Sequence, residues 1–438
     1  MSKAIHGGNI YEFAKAHNLP MEQILDFSAN INPIGMSPIG LEAMTKALTQ
    51  CIHYPDIHNE ELMTVISERF NLPTSQIALG NGASELLYAL MKVLPCETVY
   101  VPAPGFSEYT KAAQCYGKTL RTYSIDSLGG LQNVWPLPNT QNLNIAYDTK
   151  HTNQLHGTKY TSQLHGRKYT SQLHGAKYAS PLDDIKSISP QDGTERDKLL
   201  YNKHDARLLQ DVPGALCIIG NPNNPDGSLI DTVQFKEYVA QAQAAGLYIL
   251  VDESFIEFTD ETQTVRQLCK SFPNLLVLHS LTKFYAVPGL RLGALFGSEK
   301  VIDLIQASLP AWSVNRLAQV YGAQALQDTA YVKESKDYVK EEKQRFYMAL
   351  QEFPFLQVIE PSVNFILLRW LPKEPTLGNF MAYMNRHHIM LRNCEAYEGL
   401  GTGWFRLAIK KKEENNVLLS YVKEYGNEHN LFSTSWTD

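Results

Sequence analysis

The sequence predicts an α/β protein in which helices cover a mostly parallel sheet, followed by a smaller α+β domain. Between residues 83 and 297, apolar strand-like runs alternate with helical segments, as in parallel sheets built from β-α-β units. After residue 313, a long charged helix and two apolar strands indicate the second domain. The chain has 438 residues, 44% of them hydrophobic, and is therefore long enough to bury two cores.

The individual elements can be placed along the chain from their apolar periodicity. Strands are expected at 98–101, 118–124, 216–219, 247–251, 275–278 and 292–296 in the larger unit. A helix at 314–327 leads to a smaller unit with helices at 331–353 and 377–387, strands at 364–368 and 404–409, and a solvated helix from Lys410. We expect an N-terminal arm (1–35), a large domain (36–312) and a small domain (313–438).

Lys283 is the residue whose surroundings are most specific. It follows the apolar run 275–278, with Ser280 before it and Arg291 shortly after it. A lysine amine forms a Schiff base with an aldehyde, while a hydroxyl and a guanidinium bind a phosphate. This combination predicts pyridoxal 5'-phosphate as the cofactor.

Further motifs follow one another in a fixed order around this lysine. Gly82-Ala83-Ser84 opens an apolar helix, and Pro104-Gly105-Phe106 follows a strand. Asn221-Pro222-Asn223-Asn224-Pro225 and Asp252-Glu253 each come directly after a strand, and Arg406 lies within one. Taken singly, each motif has an ordinary explanation: a helix cap, a core aromatic ring, an Asn-Pro turn or a capping aspartate.

The ordered set resembles the fold-type I pyridoxal-phosphate enzymes, the aspartate aminotransferase superfamily, over nearly the whole chain outside residues 135–212. The resemblance implies a large domain with a mostly parallel, seven-stranded sheet and a small α+β domain. It implies that Asp252 holds the proton of the pyridine nitrogen and that Lys283 carries the cofactor. The other implied cofactor contacts are Ala83, Ser84, Phe106, Asn224, Ser280 and Arg291. Phe255 stands where the family has a tyrosine, so one hydrogen bond to the phenolic oxygen is lost and the titration of the Lys283 Schiff base should shift.

The resemblance also implies substrate contacts. Arg406 matches the arginine that binds the substrate α-carboxylate as a bidentate fork, and Asn224 is implied to contact the substrate as well as the cofactor. Arg392 is a second candidate, with a surface arginine as the ordinary alternative. Two arginines from one small domain favour a substrate with two anionic groups.

The N-terminal motifs narrow the resemblance. His6-Gly7-Gly8-Asn9, the run from Asp26 to Pro33, Tyr54-Pro55-Asp56 and Trp312-Ser313-Val314-Asn315 resemble the threonine-phosphate decarboxylases of cobalamin biosynthesis. That implies decarboxylation of L-threonine O-3-phosphate or L-serine O-phosphate, with His6, Asn32 and Arg392 near the substrate phosphate. It also implies a homodimer in which Tyr54 reaches the partner's cofactor phosphate. The alternative is histidinol-phosphate aminotransferase or a related aminotransferase.

Composition excludes several other classes. The net charge of −6 argues against a nucleic-acid-binding protein, and no apolar run is long enough for a membrane span. The N-terminus lacks the apolar core of a signal peptide. Six scattered cysteines predict reduced thiols in a cytoplasmic enzyme, with neither a disulfide framework nor a metal site. A ligand-sensing regulator on this fold would need an attached helix-turn-helix, for which we see no room before His6.

Residues 149–182 do not follow the family pattern. Three near copies of a nine-residue unit, at 152–160, 161–169 and 170–178, contain no Asp or Glu and only one leucine each. Such a composition cannot form its own core, so we expect a mobile, dispensable surface insertion. The alternatives are a segment that docks a partner, or that captures a metal through His156, His165 and His174.

Overall fold

The computed structural model describes residues 7–125, 214–433 and 436. Its centre is a seven-stranded sheet in the order β2-β8-β7-β6-β5-β3-β4. All pairs are parallel except those of β8, which is antiparallel to both neighbours. The strands are β2 (Ile77–Asn81), β3 (Cys96–Ala103), β4 (Thr119–Ser124), β5 (Gly214–Gly220), β6 (Tyr248–Asp252), β7 (Leu275–Ser280) and β8 (Leu292–Phe296). The expected mostly parallel sheet of the fold-type I enzymes is confirmed.

Helices cover both faces of this sheet. In chain order, the helices of the arm and of the chain up to the small domain are α1 (Ile10–His17), α2 (Pro38–Ala47), α3 (Glu60–Phe70), α4 (Ala83–Val93), α5 (Ser107–Cys115), α6 (Thr232–Ala244), α7 (Leu281–Phe284), α8 (Glu299–Ser308), α9 (Arg316–Ala325) and α10 (Thr329–Gln351); α1, in the arm, has no buried residue. The central strands β5 to β8 are buried along almost their whole length, because apolar side chains on both faces meet a helical layer. One apolar core lies on each side of the sheet.

The small domain is a four-stranded antiparallel sheet in the order β12-β13-β10-β9, packed against helices. Its strands are β9 (Leu356–Val358), β10 (Phe365–Trp370), β12 (Arg392–Asn393) and β13 (Trp404–Ala408), and its further helices are α11 (Leu377–Arg386) and α12 (Lys412–Glu428). The N-terminal arm joins this unit: β1 (Leu25–Asp26) pairs in parallel with β11 (Ile389–Met390), and Phe27 is fully buried in the small-domain core.

The two cores meet along α10. Tyr331 and Val339 of this helix belong to the large-domain core, whereas Phe346 and Leu350 belong to the small-domain core. The helix α9, which follows the expected boundary at residue 313, packs on α2 and α3 of the large domain. In packing terms, the change from one core to the other therefore falls within α10.

Two general features concern the part of the chain that the structure describes. None of its helices is both long and apolar enough to cross a membrane. All six cysteines lie in it and carry free thiols, four of them buried.

Candidate active site

A cavity with about 660 Å³ of empty space opens at the carboxyl ends of the parallel strands. Its wall contains nine of the ten residues assigned to the cofactor by resemblance: Ala83, Ser84, Phe106, Asn224, Asp252, Phe255, Ser280, Lys283 and Arg291. Strand ends in an α/β sheet form such a crevice because helices leave the sheet in different directions there.

One corner of the cavity is built to bind a phosphate. The eleven-residue helix α4 begins at Ala83 after Gly82, so its first backbone N–H groups and the positive end of its dipole face the cavity. Gly82 has φ +81°, and a Cβ there would lie 2.5 Å from Nη2 of Arg291. Only glycine allows the guanidinium to approach this closely. The hydroxyl of Ser280, the last residue of β7, is 2.8 Å from that of Thr282, which also lines the cavity.

Lys283 lies in the short helix α7, directly after β7. Its Nζ donates a hydrogen bond of 3.3 Å to the Thr282 hydroxyl. Burial, together with the positive charges of Arg291 and Arg406, lowers the pKa of the amine to about 8, although Asp252 opposes the shift. A substantial fraction of the amine is therefore neutral and nucleophilic near neutral pH.

Asp252 is the last residue of β6 and is buried at the cavity wall. Its Oδ1 accepts hydrogen bonds from the backbone N–H (2.9 Å) and the hydroxyl (2.5 Å) of Ser254, and its Oδ2 accepts one of 2.7 Å from the hydroxyl of Tyr109. Sequence reasoning missed both partners. Tyr109 could have been found from its place three residues after Phe106, on the same helical face, and Ser254 from the turn that an aspartate forms with the residue two positions later.

The two candidate substrate arginines are direct neighbours. Arg392 on β12 pairs with Arg406 on β13 in the antiparallel register, so both side chains leave the same face of the sheet. Arg406 is buried; its Nη1 donates to Oδ1 of Asn224, and its Nη2 donates to the carbonyl oxygen of Ser28 at 3.1 Å. Its guanidinium lies 5.2 Å from the ring centre of Phe365. That of Arg392 lies 5.5 Å from the Tyr397 ring.

The N-terminal arm reaches this arginine from the opposite side. Gly8 N–H donates to the Ser28 hydroxyl at 2.8 Å, and a Cβ on Gly7 would lie 2.3 Å from the Ser28 carbonyl oxygen that Arg406 binds. The two glycines therefore allow the arm to pack closely against the Arg406 contact. His6, the next residue toward the N-terminus, lies outside the described residues.

Asn32 and Asn30 have opposite environments. The side-chain N–H2 of Asn32 lies within hydrogen-bonding distance of Phe284 O, Tyr331 Oη and Ser335 Oγ (2.8–3.0 Å), and its Oδ1 accepts from Ile34 N–H. The side-chain amide of Asn30 is only 4% exposed and, among the described residues, makes no hydrogen bond. The expected contact of Asn32 with the substrate stays a prediction; its amide is already engaged by the protein.

Two further residues that the resemblance assigns to the cofactor, Phe255 and Tyr54, make aromatic contacts. Phe255 is buried, and its ring meets that of Phe365 edge to face at 5.1 Å. Tyr54 is 79% exposed and does not line the cavity of this chain; it stacks on Trp312 with 4.5 Å between ring centres. Neither position contradicts the resemblance, since Tyr54 was expected to act in a partner subunit.

The geometry can be compared with known proteins. The model of the family "Aminotransferase class I and II" matches residues 22–148 and 198–422. The chain belongs to this family.

Proteins of similar sequence include two different enzymes, a decarboxylase and an aminotransferase. Threonine-phosphate decarboxylase of Salmonella typhimurium is 29% identical over 422 residues, covering 95% of both chains. Histidinol-phosphate aminotransferase of Methanococcus aeolicus is 24% identical over 426 residues, covering 97% of this chain and 95% of its own. Among solved structures, histidinol-phosphate aminotransferase of Sinorhizobium meliloti in complex with pyridoxal-5'-phosphate has a TM-score of 0.67 at 16% identity, covering 97% and 96% of the two chains.

The cofactor of this enzyme is pyridoxal 5'-phosphate, and the cavity suits it. Lys283 has the amine that would hold the cofactor, and the start of α4 with Ser280 and Arg291 offers groups that would hold its phosphate. Phe106 provides an aromatic ring at the wall, and Asp252 a buried carboxylate. Among the described residues, no His, Cys, Asp or Glu side chains are grouped so that they could hold a metal.

Proposed function

We propose that this enzyme decarboxylates an O-phosphorylated amino acid. The substrate would be L-threonine O-3-phosphate, giving (R)-1-aminopropan-2-yl phosphate, or L-serine O-phosphate, giving ethanolamine phosphate. Carbon dioxide is the second product in both cases. The placement in cobalamin biosynthesis follows from the resemblance to threonine-phosphate decarboxylases.

The pairing of Arg392 with Arg406 carries this proposal. Like charges directly opposite each other on neighbouring strands destabilise a sheet unless an anion neutralises them. Burial and the charge of Arg392 both lower the pKa of Arg406, so the repulsion is felt at the buried guanidinium. A substrate with one carboxylate and one phosphate would supply an anion to each arginine.

Each polar side chain then has a distinct task. Arg406 holds the α-carboxylate, and its contact with Asn224 fixes the direction in which the guanidinium points. Pyridoxal phosphate, when bound, supplies an electron-withdrawing ring that takes up the electron pair of the breaking Cα–carboxylate bond. Asp252 keeps the proton on the ring nitrogen. Lys283, whose pKa is about 8, can return a proton to Cα.

We infer that Asn30, rather than Asn32, offers its amide to the substrate. Both residues follow Ser28, whose carbonyl oxygen contacts Arg406, and Asn32 contacts the Lys283 backbone. Asn30 therefore lies in the segment that joins the two ends of the site. A buried amide without a protein partner costs free energy, and a bound polar group would satisfy it.

The main rival is transamination of histidinol phosphate. It is supported by the 24% identity to the Methanococcus aeolicus enzyme over nearly the full chain. Histidinol phosphate has a phosphate but no carboxylate, so it would offer the two arginines one anionic group instead of two. The presence of both arginines therefore favours a phosphorylated amino acid.

We further propose a homodimer. Large apolar side chains are exposed in α2 and the segment that follows it, and Trp312 stacks on one of them, Tyr54. The set is Ile39, Leu41, Leu48, Ile52, Tyr54, Ile57 and Trp312. We call this set the Tyr54 face. So many exposed apolar side chains in one part of the chain favour a buried interface with a second copy.

Product analysis tests the reaction. The purified enzyme with pyridoxal phosphate is incubated with threonine phosphate, serine phosphate or histidinol phosphate, each with and without a keto acid. We expect carbon dioxide from a phosphorylated amino acid without any keto acid. Amine transfer from histidinol phosphate that depends on a keto acid, with no carbon dioxide from the other two, would establish the rival function.

A further inference from the structure

We propose that Tyr109 is a positioning residue that acts on the cofactor through Asp252, with Ser254 as its counterpart on the other carboxylate oxygen. The two residues fix the position and direction of the Asp252 carboxylate, so that it would hold a proton on the ring nitrogen of the bound cofactor. This inference rests on the proposed role of Asp252.

The two oxygens of the Asp252 carboxylate have different donors. Oδ1 is held by two donors of Ser254, a residue of the turn after β6. Oδ2 is held by the Tyr109 hydroxyl at 2.7 Å, and Tyr109 is 143 residues away in sequence, on α5. Donors from two separate elements fix both the position and the rotation of the carboxylate.

Tyr109 is itself held rigidly. It is 3% exposed, and its backbone N–H donates to the Phe106 carbonyl oxygen at 3.1 Å. Its ring meets the Phe106 ring edge to face, with centres 5.6 Å apart and planes at 87°. Tyr109 therefore joins the aromatic ring at the cavity wall to the carboxylate that faces the cofactor nitrogen. Both residues line the same cavity.

The electrostatic consequence has a definite sign. A hydrogen bond donated to a carboxylate favours its charged form. Without the Tyr109 hydroxyl, the carboxylate loses the donor that fixes its Oδ2, and it would hold the proton of the ring nitrogen less firmly. The ring then carries less positive charge. The cofactor-bound Lys283 nitrogen should therefore keep its proton to a higher pH.

The chain contains a matched control. The Tyr88 hydroxyl also donates to a carboxylate, Oε2 of Glu108, at 3.0 Å. Neither Tyr88 nor Glu108 lines the cavity. Tyr88→Phe and Tyr109→Phe thus remove the same group from the same kind of contact, but only Tyr109→Phe alters the carboxylate that faces the cofactor.

The experiment measures the cofactor, not turnover alone. Visible absorbance of the loaded enzyme is titrated with pH, and the cofactor dissociation constant is measured by adding pyridoxal phosphate to the apoenzyme. For Tyr109→Phe we expect the absorbance midpoint to rise by about half to one pH unit and the dissociation constant to rise about three- to tenfold. Tyr88→Phe should leave both at the wild-type values.

An absorbance midpoint in Tyr109→Phe equal to that of Tyr88→Phe would overturn the proposal, whatever happens to turnover or thermal stability. If Tyr109→Phe does not fold, Ser254→Ala supplies the same readout from the other oxygen, and an unmoved midpoint there is equally decisive against it. The variant Asp252→Asn distinguishes a failure of the role of Asp252 from a failure of the role of Tyr109. If that variant keeps the wild-type midpoint and cofactor affinity, the role of Asp252 itself fails; if only Tyr109→Phe is silent, the failure concerns Tyr109.

Discussion

The backbone N–H of Asn32 donates a hydrogen bond of 3.0 Å to the carbonyl oxygen of Lys283. The N-terminal arm is thereby attached to the turn that carries Lys283. The Asn32 side chain adds contacts to Phe284 O and to Tyr331 and Ser335 of α10. The arm, the lysine turn and the helix between the two cores are therefore joined at one buried amide.

Asn32→Ala should chiefly destabilise the fold. It removes buried hydrogen bonds and leaves polar groups of the lysine turn with fewer partners, which we expect to cost about 2–3 kcal/mol in the free energy of unfolding. Asn30→Ala is the matched variant: it removes an amide that makes no hydrogen bond among the described residues, so stability should hold while the substrate KM rises. Denaturant unfolding and steady-state kinetics measure both. The reverse pattern would restore Asn32 as the substrate contact.

The two asparagines show where prediction from sequence ends. They belong to one motif and have the same chemistry, so nothing in the sequence indicates which amide is engaged by the protein. Tyr109 escaped notice for a similar reason, since its partner Asp252 is 143 residues away. By contrast, the proximity of Lys283, Asp252 and Arg291 in one cavity was predictable, because they follow or lie near strand ends of one sheet.

The fold was predictable to a similar degree. The six strand-like runs of the large domain became strands. Most of them are continuous apolar runs, which have few other places in an α/β protein, whereas β4 is polar and mostly exposed. β2 was missed, since Gly80-Asn81 at its end is typical of a turn. Gly80 is needed there, as a Cβ would lie 2.8 Å from the side chain of Leu86. The antiparallel direction of β8 was also beyond prediction, because a buried strand has the same apolar pattern in either direction.

Cofactor capture should depend on the ionisation of Lys283. The pKa of its amine is lowered to about 8, and only the neutral amine attacks an aldehyde. The rate at which the apoenzyme forms its visible absorbance band should therefore rise with pH and level off above about 8. In Arg291→Gln one positive neighbour is lost, and the midpoint should move to higher pH. Stopped-flow absorbance at several pH values measures both.

Lys283→Ala is the control for this assignment. It should show no lysine-linked visible band and no turnover. Borohydride reduction followed by mass spectrometry should find no cofactor attached to the variant chain. A reducible linkage that persists in Lys283→Ala would assign the cofactor to another lysine.

The two arginines should respond differently to the two anionic groups of the substrate. Lysine keeps the charge but loses the bidentate fork. Arg406→Lys should raise the KM for threonine phosphate by about ten- to a hundredfold, since hydrogen bonds between charged groups are lost. Arg392→Lys should raise it for phosphorylated substrates and change little for unphosphorylated threonine. Arg369→Lys, on the same sheet beside Trp404, is the control. Equal KM values for all three variants would show that the arginine pair does not bind the substrate.

Dimer formation should depend on the Tyr54 face. Ile52 is 84% exposed in the single chain, so Ile52→Asp should leave the fold intact and place a charge in the interface. We expect a monomer with weakened cofactor binding, because Tyr54 could no longer reach the partner's site. Val233→Asp, at a residue 77% exposed at the start of α6, is the matched control and should remain dimeric. Sedimentation equilibrium decides, and a fully active wild-type monomer would refute the shared site.

The repeat segment should be silent in catalysis. Residues 149–182 lie outside the described part of the chain, but the strands on either side are described. Ser124, at the end of β4, pairs with Ala103, two residues before the Gly105-Phe106 turn, and Ile125 N–H donates to the Ala103 carbonyl oxygen at 3.3 Å. The segment thus follows a strand that ends at the same edge of the sheet as the cavity, and a role at the site has to be tested directly.

Replacing residues 149–182 with a short Gly/Ser linker should leave cofactor affinity, the KM for the phosphorylated amino acid and the dimer unchanged. We expect this because one leucine in nine residues offers little apolar surface for a core, and loop length affects the free energy of folding only logarithmically. A scrambled segment of equal length and composition is the control for chain length. If deletion raises KM while scrambling does not, the segment covers the site, and its length matters but the order of its residues does not. If both changes raise it, the repeated unit itself contacts the substrate, and the expectation of a dispensable insertion is wrong.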